Sequence, residues 1–134
     1  MNFKPHHTAF TVKNTEESIK WYEDKLGFTL THRYNKHGME ITQLKLDDVR
    51  IELFNYGSET KPLPQYSKNL KEDLLVIGTK HLCIETDNLD KTTEELKSNG
   101  VEFTQDVDTA GFGGRYIFFK DCNGILIELY ESPK

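Results

Sequence analysis

Two histidines and two glutamates recur at matching places in the sequence. His7 and His81 each open an alternating stretch, and the two residues are 74 positions apart. Glu52 and Glu128 each lie among aliphatic residues near the end of their copy, 76 positions apart. Two imidazoles with two carboxylates suit a divalent ion such as Zn, Ni, Co, Mn or Fe. The sequence therefore predicts a metal site formed by these four side chains.

The two copies predict two modules with the same order of elements, namely a strand, a helix and three strands. We expect one domain over residues 1–134, with the first module at about 5–56, a connector at 57–78 and the second module at about 79–131. Gly27 and Gly100 follow the helical patterns, where a left-handed residue is often needed. Gly57, Pro62 and Pro64 interrupt any periodicity in the connector.

The predicted boundaries follow from hydrophobic periodicity and turn residues. Helices are expected at 15–25, after a cap at Asn14 or Thr15, and from Asn88 or Asp90 to residue 98. The apolar end of the connector, 74–77, is expected to pack against the rest of the chain, and 108–114 is expected to be a glycine-rich loop. Strands are expected at 6–12, 28–34, 39–46, 49–55, 79–86, 101–107, 115–120 and 125–131.

Alternation along the strands predicts where the four candidate ligands point. Side chains two apart on a strand share a face, so Glu52 lies with Arg50 and Phe54, and Glu128 lies with Leu126 and Tyr130. The opposite side of each strand is more aliphatic and suits the buried stripe of a helix. The face that carries His and Glu is then a mixed polar and apolar surface, which suits a small-molecule ligand.

Composition narrows the classes of partner. The chain has 134 residues, with 17 basic and 22 acidic side chains and a formal net charge of −5. No basic cluster stands out along the sequence, which argues against nucleic acid and anionic membrane partners. The first residues lack the apolar run of a secretory signal, and no stretch has the length of a membrane span. Two cysteines are too few for a disulfide framework, so a cytoplasmic protein is expected.

These motifs resemble those of the vicinal oxygen chelate superfamily, the glyoxalase and bleomycin-resistance fold group. The resemblance covers nearly the whole chain and implies an α+β fold of two βαβββ modules whose sheets curl into an open half-barrel around a metal. By position, the family's metal ligands fall on His7, Glu52, His81 and Glu128. The quoted motifs are HTAFTV at 7–12, WY at 21–22, LGF at 26–28, GTKH at 78–81, DCNG at 121–124 and IEL at 127–129.

The complete His/Glu/His/Glu set is most similar to that of glyoxalase I. This resemblance implies a metal-dependent lyase or isomerase that transfers a proton through an enediolate, with a thiol hemithioacetal of methylglyoxal as one possible substrate. It also implies that Glu128 or Glu52 is the catalytic base. Thr11 stands where bacterial glyoxalase I has an arginine for glutathione, so the substrate stays open.

Other residues are candidates for substrate binding. Arg50 and Arg115 offer charges for an anionic group or are paired in salt bridges, and Phe54 lies beside Glu52. Phe112 lies between glycines in a loop that is able to close over a ligand. Two other functions remain open: an Fe(II)-dependent ring-cleaving dioxygenase, and a small-molecule or drug-binding protein without catalysis. The resemblance also implies a homodimer, with the four ligands in one chain or shared between two.

Overall fold

The computed structural model describes residues 1–134 and contains nine strands, three α-helices and two short 3-10 helices. They fall into two compact units, Met1–Pro62 and Leu63–Lys134. The α-helices are α1 (Thr15–Leu26), α2 (Leu70–Asp73) and α3 (Leu89–Ser98). The strands are β1 (Thr8–Thr11), β2 (Thr29–Lys36), β3 (Met39–Leu46), β4 (Val49–Asn55), β5 (Leu82–Glu85), β6 (Glu102–Phe103), β7 (Asp108–Thr109), β8 (Arg115–Lys120) and β9 (Leu126–Glu131).

The first unit is a four-stranded mixed sheet with one long helix. The strand order is β1-β4-β3-β2, and only the β1–β4 pair is parallel. The side chain of Asn14 accepts a hydrogen bond from Glu17 N and so caps α1, as the sequence predicts. Gly27 ends α1 with a φ of 78°, a left-handed conformation that glycine adopts without strain.

The second unit repeats this arrangement with shorter strands. Its strand order is β5-β9-β8-β6, with β7 paired to β8, and only the β5–β9 pair is parallel. Asn88 caps α3 by accepting a hydrogen bond from Lys91 N, which matches the cap at Asn14 in the first unit. The predicted α+β class with two repeated sheets is confirmed.

Alternate residues of the strands form the core of each unit. Ile51 and Leu53 of β4 are at most 1 % exposed, and Ile127 and Leu129 of β9 are at most 2 % exposed. Because side chains alternate, the glutamate between each aliphatic pair points to the other side of its sheet. We call that side the polar face of each sheet. No helix has the length and apolar character needed to cross a membrane.

Three sequence predictions need correction in the second unit. The strand predicted at 101–107 is only Glu102–Phe103, because Val101 N donates to Leu96 O and so belongs to the end of α3. The strand predicted at 79–86 is only Leu82–Glu85. The loop predicted at 108–114 begins with the short strand β7, which pairs with β8.

The apolar end of the connector is also not packed as predicted. Leu75 is 82 % exposed and Ile77 fully so, while Leu74 and Val76 are also exposed. Backbone hydrogen bonds from Leu75 N to Glu72 O and from Val76 N to Asp73 O hold this segment in tight turns after α2. Within these turns Asp73, at 7 % exposure, takes the inward position.

Candidate metal and substrate site

The first unit brings His7 and Glu52 together on the polar face of its sheet. His7 Nε2 lies 3.6 Å from Glu52 Oε1, and the Glu52 side chain is only 12 % exposed. Gln43 lies directly across from Glu52 in the β3–β4 ladder and donates its amide Nε2–H to Glu52 Oε2 at 2.6 Å. One carboxylate oxygen is therefore fixed by an amide while the other faces the imidazole.

A second histidine supports His7 from the other side. His6 Nδ1 and His7 Nδ1 lie 2.8 Å apart, so one ring donates a hydrogen bond to the other. This contact leaves His7 Nε2 as the nitrogen directed at Glu52. Hydrogen bonds to the distal nitrogen of an imidazole commonly fix its orientation at a metal site.

The second unit brings His81 and Glu128 together in the same way. His81 Nε2 lies 2.9 Å from Glu128 Oε2, and both side chains are about one-fifth exposed. The Phe118 ring contacts the His81 ring edge-on, with centroids 4.7 Å apart and an interplanar angle of 86°. His81 Nδ1 is buried without a hydrogen-bond partner. Ring packing and the contact with Glu128, rather than a hydrogen bond at Nδ1, therefore orient this imidazole.

Cys83 also adjoins the Glu128 carboxylate. It is the cross-strand neighbour of Glu128 in the β5–β9 pair. Burial raises the pKa of the Cys83 thiol to about 11, and the negative charge of Glu128 and a hydrogen bond to it act in the same direction. The thiol is therefore protonated at neutral pH, which is the opposite of an activated nucleophile.

The donor chemistry of these two pairs fits a divalent metal ion. Each pair offers one imidazole nitrogen and one carboxylate oxygen within 3.6 Å or less, a separation that ligands of one ion commonly show. The structure does not gather three or more His, Cys, Asp or Glu side chains into one group suited to a metal. Each unit thus supplies a two-ligand half-site, and the complete set of four ligands stays a prediction.

The two arginines that the sequence suggested for substrate binding lie in different surroundings. Arg115 pairs with Asp90 at 3.2 Å and with Glu131 at 3.0 Å. Because it lies opposite Glu131 in the β8–β9 register, Arg115 is on the side of the sheet away from Glu128. Arg50 shares the polar face with Glu52 and lies opposite Lys45 in the ladder.

The two phenylalanines suggested for substrate binding both lie beside the polar faces. Phe54 is half-buried two positions after Glu52, next to Thr11 and Ile41 in the register. Phe112 is 82 % exposed, and its ring centroid lies 5.4 Å from that of Tyr130. Tyr130 shares its face with Glu128.

Gly113 and Gly114 shape the loop that carries Phe112. Tyr130 donates its hydroxyl hydrogen to Gly113 O at 2.9 Å. A Cβ at Gly114 would meet Glu131 O at 2.3 Å, so this close approach of loop and strand requires glycine.

Gln43 and Phe118 were not among the residues predicted from the sequence. Both are the direct cross-strand neighbours of the candidate glutamates, and they are 75 positions apart, within one of the offsets of the ligands. That offset was a usable signal. The repeat was not recognised at this position because an amide and a phenyl ring have no chemistry in common.

Comparison with known proteins gives the family. Residues 4–129 match the model of the Glyoxalase/Bleomycin resistance protein/Dioxygenase superfamily. A mitochondrial methylmalonyl-CoA epimerase from Mus musculus is 26 % identical over 132 residues, which cover 95 % of this chain and 72 % of that protein. A lactoylglutathione lyase from Schizosaccharomyces pombe is 26 % identical over 151 residues, covering 98 % of this chain and 48 % of that protein.

A solved structure supports the same fold. The glyoxalase family protein from Enterococcus faecalis aligns with a TM-score of 0.78 and 24 % identity, covering 96 % of this chain and 97 % of that one. The chain belongs to the Glyoxalase/Bleomycin resistance protein/Dioxygenase superfamily. Its relatives include both an epimerase and a lyase, so the family does not by itself select a substrate.

Proposed function

We propose that the chain is a metal-dependent isomerase or lyase that moves a proton at a carbon next to a carbonyl group. The observation that carries this proposal is the repeated His–Glu pair, with imidazole and carboxylate 3.6 Å and 2.9 Å apart in the two units. His7, Glu52, His81 and Glu128 would hold the ion. A bound divalent ion supplies a Lewis acid that stabilises negative charge on two neighbouring substrate oxygens.

Glu128 is the better candidate for the base that carries the proton. Its neighbours are a phenyl ring, a protonated thiol and His81, and it lies opposite Phe118 in the β8–β9 register. Glu52 instead accepts a 2.6 Å hydrogen bond from Gln43, which holds the carboxylate in one orientation. Glu128 has no such amide across its antiparallel ladder, so its carboxylate is free of that restraint when it turns from His81 towards a substrate carbon and back.

For a hemithioacetal, substrate and product are isomers, so the proton transfer consumes no other reactant. The Glu128 carboxylate removes the proton from the carbon that bears sulfur and hydroxyl, and the electrons of that C–H bond form a carbon–carbon double bond. The electron pair of the adjacent carbonyl moves to its oxygen. Glu128 then returns the proton to the second carbon. The hydroxyl proton of the first carbon passes to the oxygen of the second, and the first carbon becomes the carbonyl of a thioester. General acid–base catalysis of this kind typically contributes about 10²–10⁴-fold in rate.

Two substrate classes fit this chemistry. The first is a hemithioacetal formed by methylglyoxal and a thiol, in line with the similarity to a lactoylglutathione lyase. The second is an acyl-CoA thioester with an acidic carbon beside its carbonyl, in line with the similarity to methylmalonyl-CoA epimerase. In the second case the proton is removed from one side of the carbon and replaced on the other.

The experiment is a paired assay of purified protein loaded separately with Ni, Co, Zn, Mn and Fe(II). Methylglyoxal with glutathione or another thiol is followed by thioester formation, and methylmalonyl-CoA is followed by deuterium uptake from solvent. The proposal expects turnover in one of the two assays that is lost after chelation. Oxygen consumption with catechols and no proton transfer would instead identify a dioxygenase. Ligand binding without turnover under any metal would identify a binding protein.

A further inference from the structure

A groove of about 610 Å³ lies in the second unit, between α2 with the residues just before it and the edge of the sheet. Its walls carry three lysines, Lys68, Lys71 and Lys120, and one carboxylate, Glu102. Leu70 and Phe103 form its apolar part. We call it the lysine groove. Its volume lies in the range of small-molecule sites in proteins.

The lysine groove is basic in a chain whose formal net charge is −5. Lys120 is only 25 % exposed, and its one ion-pair partner is Glu102 at 3.6 Å, a carboxylate that is itself 72 % exposed. Lys68 and Lys71 are exposed and line the same groove. Three ammonium groups around a concave surface create a positive potential that favours an anionic ligand.

The lysine groove adjoins the polar face that carries Glu128. Lys120 and Phe118 are two apart on β8 and therefore share a face, and Phe118 is the direct cross-strand neighbour of Glu128. Lys120 and Glu128 are thus diagonal neighbours, which lie about 7–8 Å apart in such ladders, with their Cβ atoms somewhat closer. A ligand that extends from Glu128 past Lys120 enters the groove.

The wall that carries Lys68 and Lys71 is tied to the strand that follows it. Lys80 Nζ donates to Asp73 O at 2.6 Å and to Val76 O, and it lies 3.7 Å from Asp73 Oδ2. Lys80 immediately precedes His81. The short helix beside the groove is therefore held to the residue that precedes His81.

We propose that the lysine groove binds the phosphate-bearing tail of an elongated thioester substrate whose reacting carbon lies at Glu128. Lysines bind phosphate as point charges, and three of them match a multiply charged tail better than a single carboxylate. The apolar part of the groove suits the uncharged portion of such a tail. This proposal rests on the function proposed above. Of the two substrate classes named there, it favours the acyl-CoA thioester.

Binding is tested without catalysis, by calorimetric titration of free coenzyme A, adenosine 3′,5′-bisphosphate and inorganic pyrophosphate. The double charge reversal Lys68→Glu, Lys71→Glu should weaken binding of the first two ligands at least about tenfold, an effect that decreases with added salt. The control is Lys91→Glu, which changes an exposed lysine of α3 outside the groove. It should alter the affinity for these ligands less than about twofold.

Two binding results would overturn the proposal. One is coenzyme A that does not bind, or that binds the wild type and the double variant equally. The other is pyrophosphate that binds as tightly as the bisphosphate, because the groove would then be a general site for free polyphosphate rather than for a substrate tail. Both altered lysines are exposed, so the double variant should fold, and a circular dichroism spectrum checks this.

Turnover separates this proposal from the proposed function. With a phosphorylated thioester, the double variant should raise KM at least about tenfold and leave kcat within about twofold. Binding that responds to the lysines, in a protein without turnover on any substrate, would support the groove and contradict the proposed reaction. If the double variant turned over a phosphorylated thioester with the same KM as the wild type, the proposed reaction would be supported and the role of the lysine groove would be contradicted.

Discussion

The two units place the same pair of side chains on the same kind of sheet, yet they surround it differently. Each has an Asn-capped helix, a parallel strand pair and a glutamate facing a histidine. Across from Glu52 stands the amide of Gln43, and across from Glu128 stands the ring of Phe118. The repeated backbone thus fixes where the ligands lie, and the neighbour across the antiparallel ladder decides whether an amide also holds the carboxylate.

A second difference lies at the ends of β4 and β9. Asn55 and Glu131 are 76 positions apart, the same offset as the two glutamates. Asn55 donates its amide to Lys13 O at 3.3 Å, whereas Glu131 accepts from Leu89 N at 2.7 Å and pairs with Arg115. In both units this position links the last strand to the start of the long helix, through the residue just before the cap of α1 in the first unit and the first residue of α3 in the second. Only the second unit does so with a charge.

The largest expected effect separates the two glutamates. Glu128→Gln should lower kcat by about 10²–10⁴-fold because it removes the proton carrier. Glu52→Gln should act mainly through metal affinity, so that part of its activity returns at higher metal concentration. Steady-state kinetics across a range of metal concentrations measures both effects. Full turnover by Glu128→Gln with metal bound would exclude Glu128 as the base.

The aliphatic sides of the two sheets should be equally important for stability. Ile51 and Ile127 are both fully buried, and each change to alanine should cost about 2–5 kcal/mol in unfolding free energy from lost burial and the cavity left behind. Urea denaturation followed by circular dichroism measures the cost. A loss below about 1 kcal/mol at one site would show that its unit does not depend on the repeated core.

Gln43 should matter for the metal although it is not itself a predicted ligand. Removing its hydrogen bond to Glu52 with Gln43→Leu should lower divalent metal affinity by about 10–100-fold, the usual effect of losing a group that orients a ligand. Phe118→Leu is the matched change in the second unit and removes no hydrogen bond to Glu128. Competition with a fluorescent chelator compares them. Equal affinities for Gln43→Leu and the wild type would show that Glu52 needs no support.

The smallest expected effect concerns acid stability. The hydrogen bond from Leu89 N and then the guanidinium of Arg115 lower the pKa of Glu131 below its ordinary value of 4.5. A carboxyl with a lowered pKa in the folded state stabilises the fold above its unfolded pKa, and this stabilisation disappears as pH falls through the folded pKa. The stability of the wild type should therefore fall as pH decreases below 4.5.

Glu131→Gln should make this decrease shallower. Asn55→Ala is the matched control, because an amide does not titrate and its removal should lower stability by a similar amount at every pH. Thermal unfolding at a series of acidic pH values measures both slopes. An unchanged slope in Glu131→Gln would show that the link between β9 and α3 does not depend on the charge of Glu131.

Much of the fold was predictable because periodicity and turn residues are local signals. Strand β4 and helix α1 were predicted to within one residue, and Asn14 and Gly27 marked the ends of α1. The candidate pairs were predictable for a related reason, since His7, Glu52 and their counterparts repeat at nearly constant offsets.

The remaining features depend on contacts between segments that are distant in the sequence. Gln43 reaches Glu52 only through the β3–β4 register, and Lys120 lines the same groove as Lys68 and Lys71 only because the connector folds beside β6 and β8. The exposure of 74–77 was mispredicted because an apolar composition does not reveal that the inward place is taken by Asp73. A buried carboxylate stabilised by a lysine overrode hydrophobicity at that point.

The central claim is that the two His–Glu pairs together bind a divalent ion, and elemental analysis tests it most directly. Protein purified after dialysis against Ni, Co, Zn, Mn or Fe should carry about one ion per chain, whether one chain or two chains form each four-ligand site. The variant Glu52→Ala, Glu128→Ala should lose that ion. No ion in the wild type after dialysis against any of these metals would contradict the account.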